Sequence, residues 1–392
     1  MSSGIYLFYL IALIPSIIGA VLFMNNKAVH WGEWIGGTAI AFLVSGIMHG
    51  IAIYSMSADI ETWSGKITHV SHFPRWVEQY RQSHTRTYTT GSGDNKTTHT
   101  ETYYTTEYDT HSEYWKAYLN FGAINEDRQI DINTFNQIKA NFGNKVEDGG
   151  KQSSDHGGHR SSGDNNIYTT HNRTGYVYPV TTIKHFENKI KASPTVFSFV
   201  AVPTNAPVYL WPENSNWMIS DRLLGVSGID QREFDLMNSR LGPSKLVNVI
   251  MVGFNSSDTM LGQWQQAKWL NGKKNDLVIC YGFNESGVLW TYCFGWTEKE
   301  NCKRNLETIV LSNPINNEIL PLIEKEIEAN YVKKDWHKFS YISIEPPLWS
   351  YITLLIVMFL TQGGFWVWAH FNQYDKNGQR HAIYGSLGRR HR

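Results

Sequence analysis

The feature that most constrains this chain is an apolar segment close to its C-terminal end. Leu348 to Phe371 contains no Asp, Glu, Lys or Arg, and a helix of that length crosses a hydrocarbon core of roughly 30 Å. The tail after it, residues 372–392, holds one acid against five basic residues: Lys376, Arg380, Arg389, Arg390 and Arg392. Because basic segments resist translocation, we expect 347–371 to span a membrane and the tail to lie in the cytoplasm.

Two further apolar runs open the chain. Residues 4–24, which include Pro15, and residues 34–56 contain no charged side chain, and they predict two transmembrane helices within residues 1–56. The first run lacks a basic N-terminal region and a small-residue cleavage site, which favours a retained helix over a signal peptide. The second run contains small residues that suit close helix packing: Gly36, Gly37, Ala41, Ser45 and Gly50.

Three spans with a cytoplasmic tail place residues 57–346 outside the cytoplasm. The expected topology is N-out and C-in, with two N-terminal helices and one C-terminal helix flanking one large extracytoplasmic domain. His49 lies within the second run, where we expect a neutral imidazole hydrogen-bonded to a neighbouring helix. The spans contain no acid that would complete a proton relay with it, so a transporter or channel is not expected.

Composition and motifs narrow the classes of partner and chemistry. The 35 basic residues balance the 35 acidic ones, so the sequence offers no electrostatic footprint for nucleic acid. The motifs C-x-x-C, G-x-S-x-G and H-E-x-x-H are all absent, and no cofactor or catalytic set is expected on that basis. The expected partners are the lipid bilayer and other proteins of the envelope.

The three cysteines lie in one late segment, and an oxidising compartment allows one disulfide among them. In the hairpin predicted at 277–296, Cys280 lies near Thr291 across the ladder and is expected to be an inert core thiol. Cys293 and Cys302 are separated by a glycine-containing segment that can fold back, so these two are the candidates for the bridge. Three separate thiols are the alternative.

Residues 57–215 have the composition of a β-rich region. Residues 61–70 predict a strand with a bend or bulge at Gly65, and the Thr- and Tyr-rich stretch 85–118 predicts a long hairpin around a turn at 91–95. Aromatic side chains on a polar surface suit protein recognition, which makes five residues binding candidates: Tyr103, Tyr104, Tyr108, Tyr114 and Trp115. The alternative is that these side chains form cross-strand pairs that stabilise the sheet itself.

The stretch 146–166 has no hydrophobic residue after Val146 and is dense in Gly, Ser and Asp. This composition predicts a flexible, solvated loop. His156 and His159 have a spacing that metal ligands use, but a glycine-rich loop does not preorganise them. Solvated polar residues are therefore the favoured interpretation, and no metal site is expected there.

Residues 216–346 show the pattern of an α/β domain, so the whole chain is expected to be an α+β protein. Asp230 and Glu233 form a capping box, and the helix they begin is expected to stop at Gly242. A continuous β-branched run then predicts a strand covered on both faces. After that first helix we expect a strand at 246–254, a helix at about 258–270, a hairpin at 277–296 and a long helix at 316–331. The order of elements is therefore α-β-α-β-β-α, a sheet with helices packed on it.

The stretch 230–339 resembles the TPM domain family. The likeness is carried by the helix before the VIMV strand, the helix that ends in WLNGKKND, and the LVICYGF and CFGW strands. Members of that family are typically membrane-anchored modules outside the cytoplasm that act as assembly or accessory factors. Some bind a divalent metal, and one branch has acid phosphatase activity. The resemblance implies, as an alternative function, a metal-dependent phosphatase or other hydrolase with Asp276, at the mouth of a strand, as the candidate ligand.

The chain as a whole resembles large membrane proteins of tailed bacteriophages. The shared features are D-x-E-x-W-x-G at 59–65, a Tyr/Thr hairpin that ends in HSEYW at 111–115, and IKASP at 190–194. This resemblance implies a phage-encoded protein at the host inner membrane, with its outer domain in the periplasm and phage or envelope proteins as partners. The expected function is an extracytoplasmic binding or assembly domain on a membrane anchor, and regulation of lysis or superinfection is a further alternative.

Overall fold

The computed structural model of the protein describes residues 3–26, 31–93, 95–193, 196–213 and 221–371, and within them the chain is an α+β protein as predicted. The helices are α1 (Ser3–Asn26), α2 (Trp31–Ser57), α3 (Ile132–Phe142), α4 (Lys189–Ala192), α5 (Gln231–Lys245), α6 (Met260–Lys268), α7 (Glu300–Ser312), α8 (Leu320–Asn330) and α9 (Leu348–Phe371). The strands are β1 (Ala58–Phe73), β2 (Trp76–Thr90), β3 (Thr97–His111), β4 (Tyr114–Asn120), β5 (Asn125–Ile130), β6 (Glu147–Lys151), β7 (His159–Gly163), β8 (Asn166–His171), β9 (Pro179–Glu187), β10 (Leu223–Leu224), β11 (Asn248–Phe254), β12 (Asp276–Asn284) and β13 (Gly287–Gly295).

Helices α1, α2 and α9 are the three expected to lie in the membrane, and they pack against one another. The stretch Trp34–Ser57 of α2 and the stretch Leu348–Phe365 of α9 are long and apolar enough to cross a bilayer. The apolar part of α1 is shorter, Phe8–Val21. Two candidate spans are therefore present among the described residues, and the third span stays a prediction.

Three of the five small residues predicted to suit helix packing lie on the packed face of α2, whereas Gly36 is half-buried and Gly50 is exposed. Gly37, Ala41 and Ser45 recur every four residues and are buried. The hydroxyl of Tyr9 lies 3.2 Å from Nδ1 of His49, which is the expected hydrogen bond to a neighbouring helix. The helices thus meet through close backbone approach and a few polar contacts.

Strand β1 is the spine of the β-rich half and begins directly after α2. Its first part pairs antiparallel with β9 and its second part with β4 and β8, in a sheet of order β5-β4-β1-β8-β6. Helix α3 contributes buried side chains to the core of this half: Phe135, Ile138 and Phe142. Gly65 is a point of close approach rather than a bulge, since a Cβ there would collide with the carbonyl oxygen of Asn120. The irregular pairing lies further on, between Ile67 and His69.

The predicted hairpin is present and consists of β2 and β3. Every residue of β2 pairs with one of β3, whereas β7 pairs only with the four residues at the start of β2, Trp76 to Gln79. The rest of the hairpin has no neighbouring strand among the described residues. Side chains at 81–93 and 95–104 are accordingly exposed, apart from the half-buried His84.

The prediction of a single loop over 146–166 is wrong in its secondary structure. Strand β6 pairs with β8 of the first sheet, and β7 pairs with the base of β2. Most of the side chains are exposed, as the polar composition predicts, and the flexibility of the segment stays a prediction. The strands were missed because their pairing satisfies backbone groups without any hydrophobic alternation that a pattern would reveal.

The second half is a four-stranded sheet between two helical layers. Strands β10, β11 and β12 are parallel, and β13 is the antiparallel hairpin partner of β12. Helices α5, α7 and α8 bury one face and α6 packs on the other. The predicted order lacks α7, whose buried apolar side chains recur every four residues: Cys302, Leu306 and Val310. The predicted last helix begins as a short 3-10 turn, Asn317–Ile319, and continues as α8.

Helix α5 begins as predicted but does not stop at Gly242. Asp230 accepts hydrogen bonds from backbone N–H groups of the first turn, and the helix runs on to Lys245. Gly242 is buried against β1, where a Cβ would collide with the carbonyl oxygen of Ser64. This glycine therefore permits close contact between the two halves instead of capping a helix.

All three cysteines lie in the described chain and are buried free thiols, which corresponds to the alternative of three separate thiols and not to the candidate bridge between Cys293 and Cys302. Cys280 pairs across the hairpin with Tyr292 and not with Thr291, because an irregularity near the turn shifts the ladder by one residue. Burial raises the pKa of Cys302 to about 12 and also raises the pKa values of Cys280 and Cys293. All three thiols are therefore poor nucleophiles in the folded protein.

Candidate functional site

Three of the five predicted binding residues are exposed on the hairpin. Tyr103, Tyr104 and Tyr108 are 47%, 57% and 62% exposed. Since side chains alternate along a strand, Tyr104 and Tyr108 share one face and Tyr103 lies on the other. The ring of Tyr103 stacks on His84 with centroids 5.2 Å apart, and the Arg81 guanidinium carbon lies 4.6 Å from the ring centroid of Tyr104. The hairpin thus presents aromatic rings held by cross-strand neighbours.

The other two predicted residues belong to a different sheet. Tyr114 and Trp115 begin β4 and are half-buried against β1. Tyr114 stacks on Phe73 at 4.3 Å, and Trp115 stacks on His72 at 5.5 Å. For this pair the geometry matches the alternative interpretation, in which the aromatic side chains stabilise the sheet. The structure therefore does not bring all five candidates together on one surface.

A polar cluster lies at the base of the hairpin, around the buried side chain of Glu78. The turn between β6 and β7 folds over β2 there, and its backbone N–H groups point at this carboxylate. Glu78 accepts hydrogen bonds from the amides of Gly158 (2.8 Å), Asp155 (3.1 Å) and His156 (3.2 Å), and from the hydroxyl of Ser154. One carboxylate thus accepts hydrogen bonds from three backbone N–H groups of the turn that have no partner in a sheet.

His111, at the end of β3, completes this anchor. Its Nε2 lies 3.0 Å from Oε2 of Glu78, and its ring stacks on Trp76 with centroids 4.3 Å apart. Burial opposes the ionisation of Glu78, but the hydrogen bonds from Ser154, Gly158 and the others outweigh burial and lower the pKa to about 2. Glu78 is therefore a structural carboxylate, ionised at neutral pH.

Two further acids approach His111 from opposite elements. Asp109 precedes it by two residues on β3, and Asp155 comes from the turn, with Oδ2 3.8 Å from Nδ1 of His111. One potential ligand atom from each of these three residues lies within 4.8 Å of the others. His156 is adjacent, with Nε2 3.5 Å from Oδ2 of Asp109 and its ring stacked on Tyr80 at 4.0 Å.

A cleft of about 560 Å³ opens beside this cluster. It is lined by residues of β1, β3, β4, β5, β6 and β8 and of the turn after β6, among them His111, Tyr114, Lys151 and Asp155. Tyr114 therefore lines the cleft although it is absent from the hairpin surface. The cluster and the cleft together form the candidate site, at the junction of the two β-sheets.

Asp276, the candidate ligand implied by the TPM resemblance, is placed differently. Its side chain is fully buried and accepts hydrogen bonds from Asn248 Nδ2 (2.8 Å), Trp211 Nε1 (2.8 Å) and the Lys273 amide (2.8 Å). Burial raises the pKa of Asp276 despite these bonds. A carboxylate that accepts hydrogen bonds from three neutral donors holds its loop in place, and none of its surface is exposed to solvent.

The lysines before Asp276 join the two halves of the domain. Lys273 forms an ion pair with Asp59. Two lysines approach Glu61: Nζ of Lys333 lies 2.9 Å from its carboxylate, and Nζ of Lys274 lies 4.0 Å from it. Both acids are buried and belong to the D-x-E-x-W-x-G stretch of β1. This stretch thus serves as the interface between the halves, which the sequence did not reveal.

The signals for the candidate site were only partly visible in the sequence. An acid and a histidine two positions apart on a predicted strand share one face, so Asp109 and His111 are a detectable pair. The approach of Asp155 from a distant turn follows no local pattern. Comparisons with protein-family models, with curated proteins and with solved structures found no match to this chain.

Proposed function

We propose that this chain is a membrane-anchored binding or assembly protein whose outer domain docks another envelope protein on its long hairpin. One observation carries the proposal: the outer hairpin exposes both faces and both edges, and it presents Tyr103, Tyr104 and Tyr108 to solvent. The outer part of the hairpin, residues 81–93 and 95–104, has no core of its own and adds little to the packing of the domain. An exposed aromatic hairpin of this kind is suited to docking a partner.

The mode of binding that suits this hairpin is strand addition. Among the described residues β3 pairs only with β2, so its other edge offers backbone N–H and C=O groups along its length. An extended segment of a partner protein would pair with this edge and pack its side chains on Tyr104 and Tyr108. Tyrosine supplies contact area at low entropic cost, which fits a recognition surface.

The membrane anchor and its orientation are part of the same proposal. The spanning candidates in α2 and α9 support membrane association, and α1 packs against both. The basic tail 372–392 favours a cytoplasmic C-terminus, which leaves the domain outside, in the periplasm if the protein acts at a host inner membrane. The phosphatase alternative is less favoured, because Asp276 is engaged by three structural donors.

Site-specific photo-cross-linking in cells tests the proposal. A benzophenone amino acid is placed at Tyr104 or Tyr108 of the full-length chain, and at Tyr341 as a matched control, which is 70% exposed but lies far along the chain in the other half. We expect one discrete cross-linked protein from the hairpin positions and none of that size from the control. Identical cross-linking from all three positions, or only cross-links to lipid, would overturn the proposal.

A further inference from the structure

The cluster at the base of the hairpin has the composition of a metal site. Asp109 and His111 lie two positions apart on β3, so both side chains project from the same face of the strand. Asp155 reaches the same point from the turn after β6, with one ligand atom of each within 4.8 Å of the other two. Two carboxylates and one imidazole thus converge from two separate elements.

The orientation of His111 is fixed by a buried carboxylate. Glu78 receives backbone N–H or hydroxyl donors on both oxygens, so it acts as an acceptor and Nε2 of His111 donates to it over 3.0 Å. In the neutral ring, Nδ1 then carries the lone pair and faces Oδ2 of Asp155 at 3.8 Å. A lone pair and a carboxylate oxygen repel each other, and either a proton on Nδ1 or a cation between the two atoms would remove that repulsion. A carboxylate that holds the distal nitrogen of a metal-binding histidine is a recurrent arrangement.

We propose that Asp109, His111 and Asp155 bind a divalent transition cation, with Zn²⁺ as the preferred ion. Imidazole nitrogen combined with carboxylate oxygen suits Zn²⁺, whereas Ca²⁺ takes oxygen ligands alone. Ligand atoms bound to Zn²⁺ at about 2.0–2.2 Å lie about 3–4 Å apart, and the three atoms here lie within 4.8 Å of one another, so at most a small adjustment of the side chains completes the site. Glu78 is a positioning residue in this site and does not contact the ion.

The bound cation would link the two elements that the site joins. Asp155 belongs to a turn that is otherwise held by Glu78, and Asp109 and His111 belong to the root of the hairpin. Binding would therefore fix the direction in which the hairpin leaves the domain. This inference is independent of the proposed docking role, because it concerns the base of the hairpin and not its exposed outer part.

Titration of the full-length protein with Zn²⁺ alone tests the proposal. The protein is held in detergent micelles, its affinity tag is removed, and it is treated with a chelator before ZnCl₂ is added in a calorimeter. We expect one saturable site at micromolar or tighter affinity, and Co²⁺ in its place should give a visible absorption band. Asp155→Asn and Asp109→Asn should each weaken binding by roughly tenfold or more.

His99→Ala is the matched control. His99 lies on the same strand and the same face as Asp109 and His111, but its ring nitrogen hydrogen-bonds the hydroxyl of Thr90 (2.9 Å) instead of facing an acid of the cluster. It should bind Zn²⁺ like the wild type. Asp155 is 67% exposed, so Asp155→Asn should fold, and an unchanged melting curve without metal confirms that. Any one of three results would overturn the proposal: no saturable uptake of Zn²⁺, an unchanged Zn²⁺ affinity in Asp155→Asn, or an equal loss of Zn²⁺ affinity in Asp155→Asn and His99→Ala. Tighter binding of Ca²⁺ than of Zn²⁺ would overturn the assignment of the ion.

Discussion

At the scale of single residues, Glu78 has the largest local task in the β-rich half. Its carboxylate accepts the amides of Asp155, His156 and Gly158 and so holds the turn between β6 and β7. Removing the charge leaves buried N–H groups facing a weaker acceptor and, on one side, another donor. The turn and the hairpin base should therefore loosen together when Glu78 is replaced.

We expect Glu78→Gln to lower the free energy of unfolding at pH 7 by roughly 1–3 kcal/mol. The folded pKa is lowered to about 2 from an ordinary value of 4.5, so the stabilisation is complete above about 4.5 and is lost as the pH falls toward about 2. Melting curves of the wild type and the variant, recorded by circular dichroism, should therefore converge between pH 7 and pH 3. Glu101→Gln, an exposed partner of Arg86, is the control and should change little. An equal gap at both pH values would contradict this account.

Gly242 gives a second prediction at the residue scale: replacing it with Ala should lower the stability of the domain, although the same change usually stabilises a helix. Ala normally stabilises a helix interior by about 1 kcal/mol over Gly. Here the added Cβ meets the carbonyl oxygen of Ser64, so Gly242→Ala should instead destabilise the domain by roughly 1–3 kcal/mol. Ser244→Ala on the exposed side of the same helix is the comparison and should be close to neutral. A higher melting temperature for Gly242→Ala would show that the helix and β1 are not in contact.

Sequence patterns could identify these residues but not their tasks. The sequence predicts a bend or bulge at Gly65 and a helix end at Gly242, which are local explanations for glycine. Both instead allow two backbones far apart in sequence to approach. For Glu78 the sequence offers no prediction, since nothing nearby in the chain indicates the turn that folds onto its carboxylate.

At the scale of elements, the hairpin is separable from the fold. Only its first four β2 residues pair with β7, and a few more near the base contact the turn before β7, such as Tyr80, which stacks on His156. The outer residues 81–93 and 95–104 are exposed, apart from the half-buried His84. Its stability beyond that point comes from its own cross-strand pairs. The outer strands should therefore be removable without loss of the domain.

We expect the domain to fold when residues 83–104 are replaced by Asn-Gly. Gln82 and Thr105 are paired in the hairpin, so a two-residue turn joins them in register. The melting temperature should stay within a few degrees of the wild type, Zn²⁺ binding at Asp109 should persist, and cross-linking from Tyr108 to the partner should be weakened. Aggregation of the shortened protein would indicate that the outer hairpin packs on something within the domain.

Elements with a strong local signal were predictable and the others were not. The hairpin was found because Thr and Tyr flank a Gly-Ser-Gly turn, and α5 because Asp230 caps it. Strands β6 and β7 carry no apolar alternation, so no local pattern predicts them. Helix α7 does show helical periodicity, with Cys302, Leu306 and Val310 four residues apart, so its absence from the predicted order is an error that this spacing could have prevented. Cys280 was placed one residue away from its true partner because pairing irregularities leave no mark in the sequence.

At the scale of the whole molecule, the ion pairs of β1 hold the two halves in one arrangement. Asp59 and Glu61 are buried and receive Lys273 and Lys333 from the other half. The sequence predicted two halves from their composition, but it gave no sign that the GKKND turn faces the first half rather than solvent. Long-range charge pairing of this kind has no spacing rule.

The topology is testable on the intact chain. A reporter enzyme that is active only outside the cytoplasm should be active when inserted at Gly93 in the exposed hairpin tip and silent when fused after Arg392. The hairpin tip is preferred to the turn around Gly157, because an insertion there would disrupt the hydrogen bonds to Glu78. A cytoplasm-specific reporter at the same two positions should give the opposite pattern, and agreement between the two reporters at either position would refute the assignment.

The direct passage from α2 into β1 sets a distance. No connecting residue separates Ser57 from Ala58, and the strand then runs for 16 residues, or roughly 50 Å at about 3.3 Å per residue. Only Pro74 and Arg75 separate its end from the hairpin. For the docking role proposed above, β1 is the spacer between the expected bilayer surface and the base of the hairpin, and its length sets an upper limit on the height of that base above the lipid.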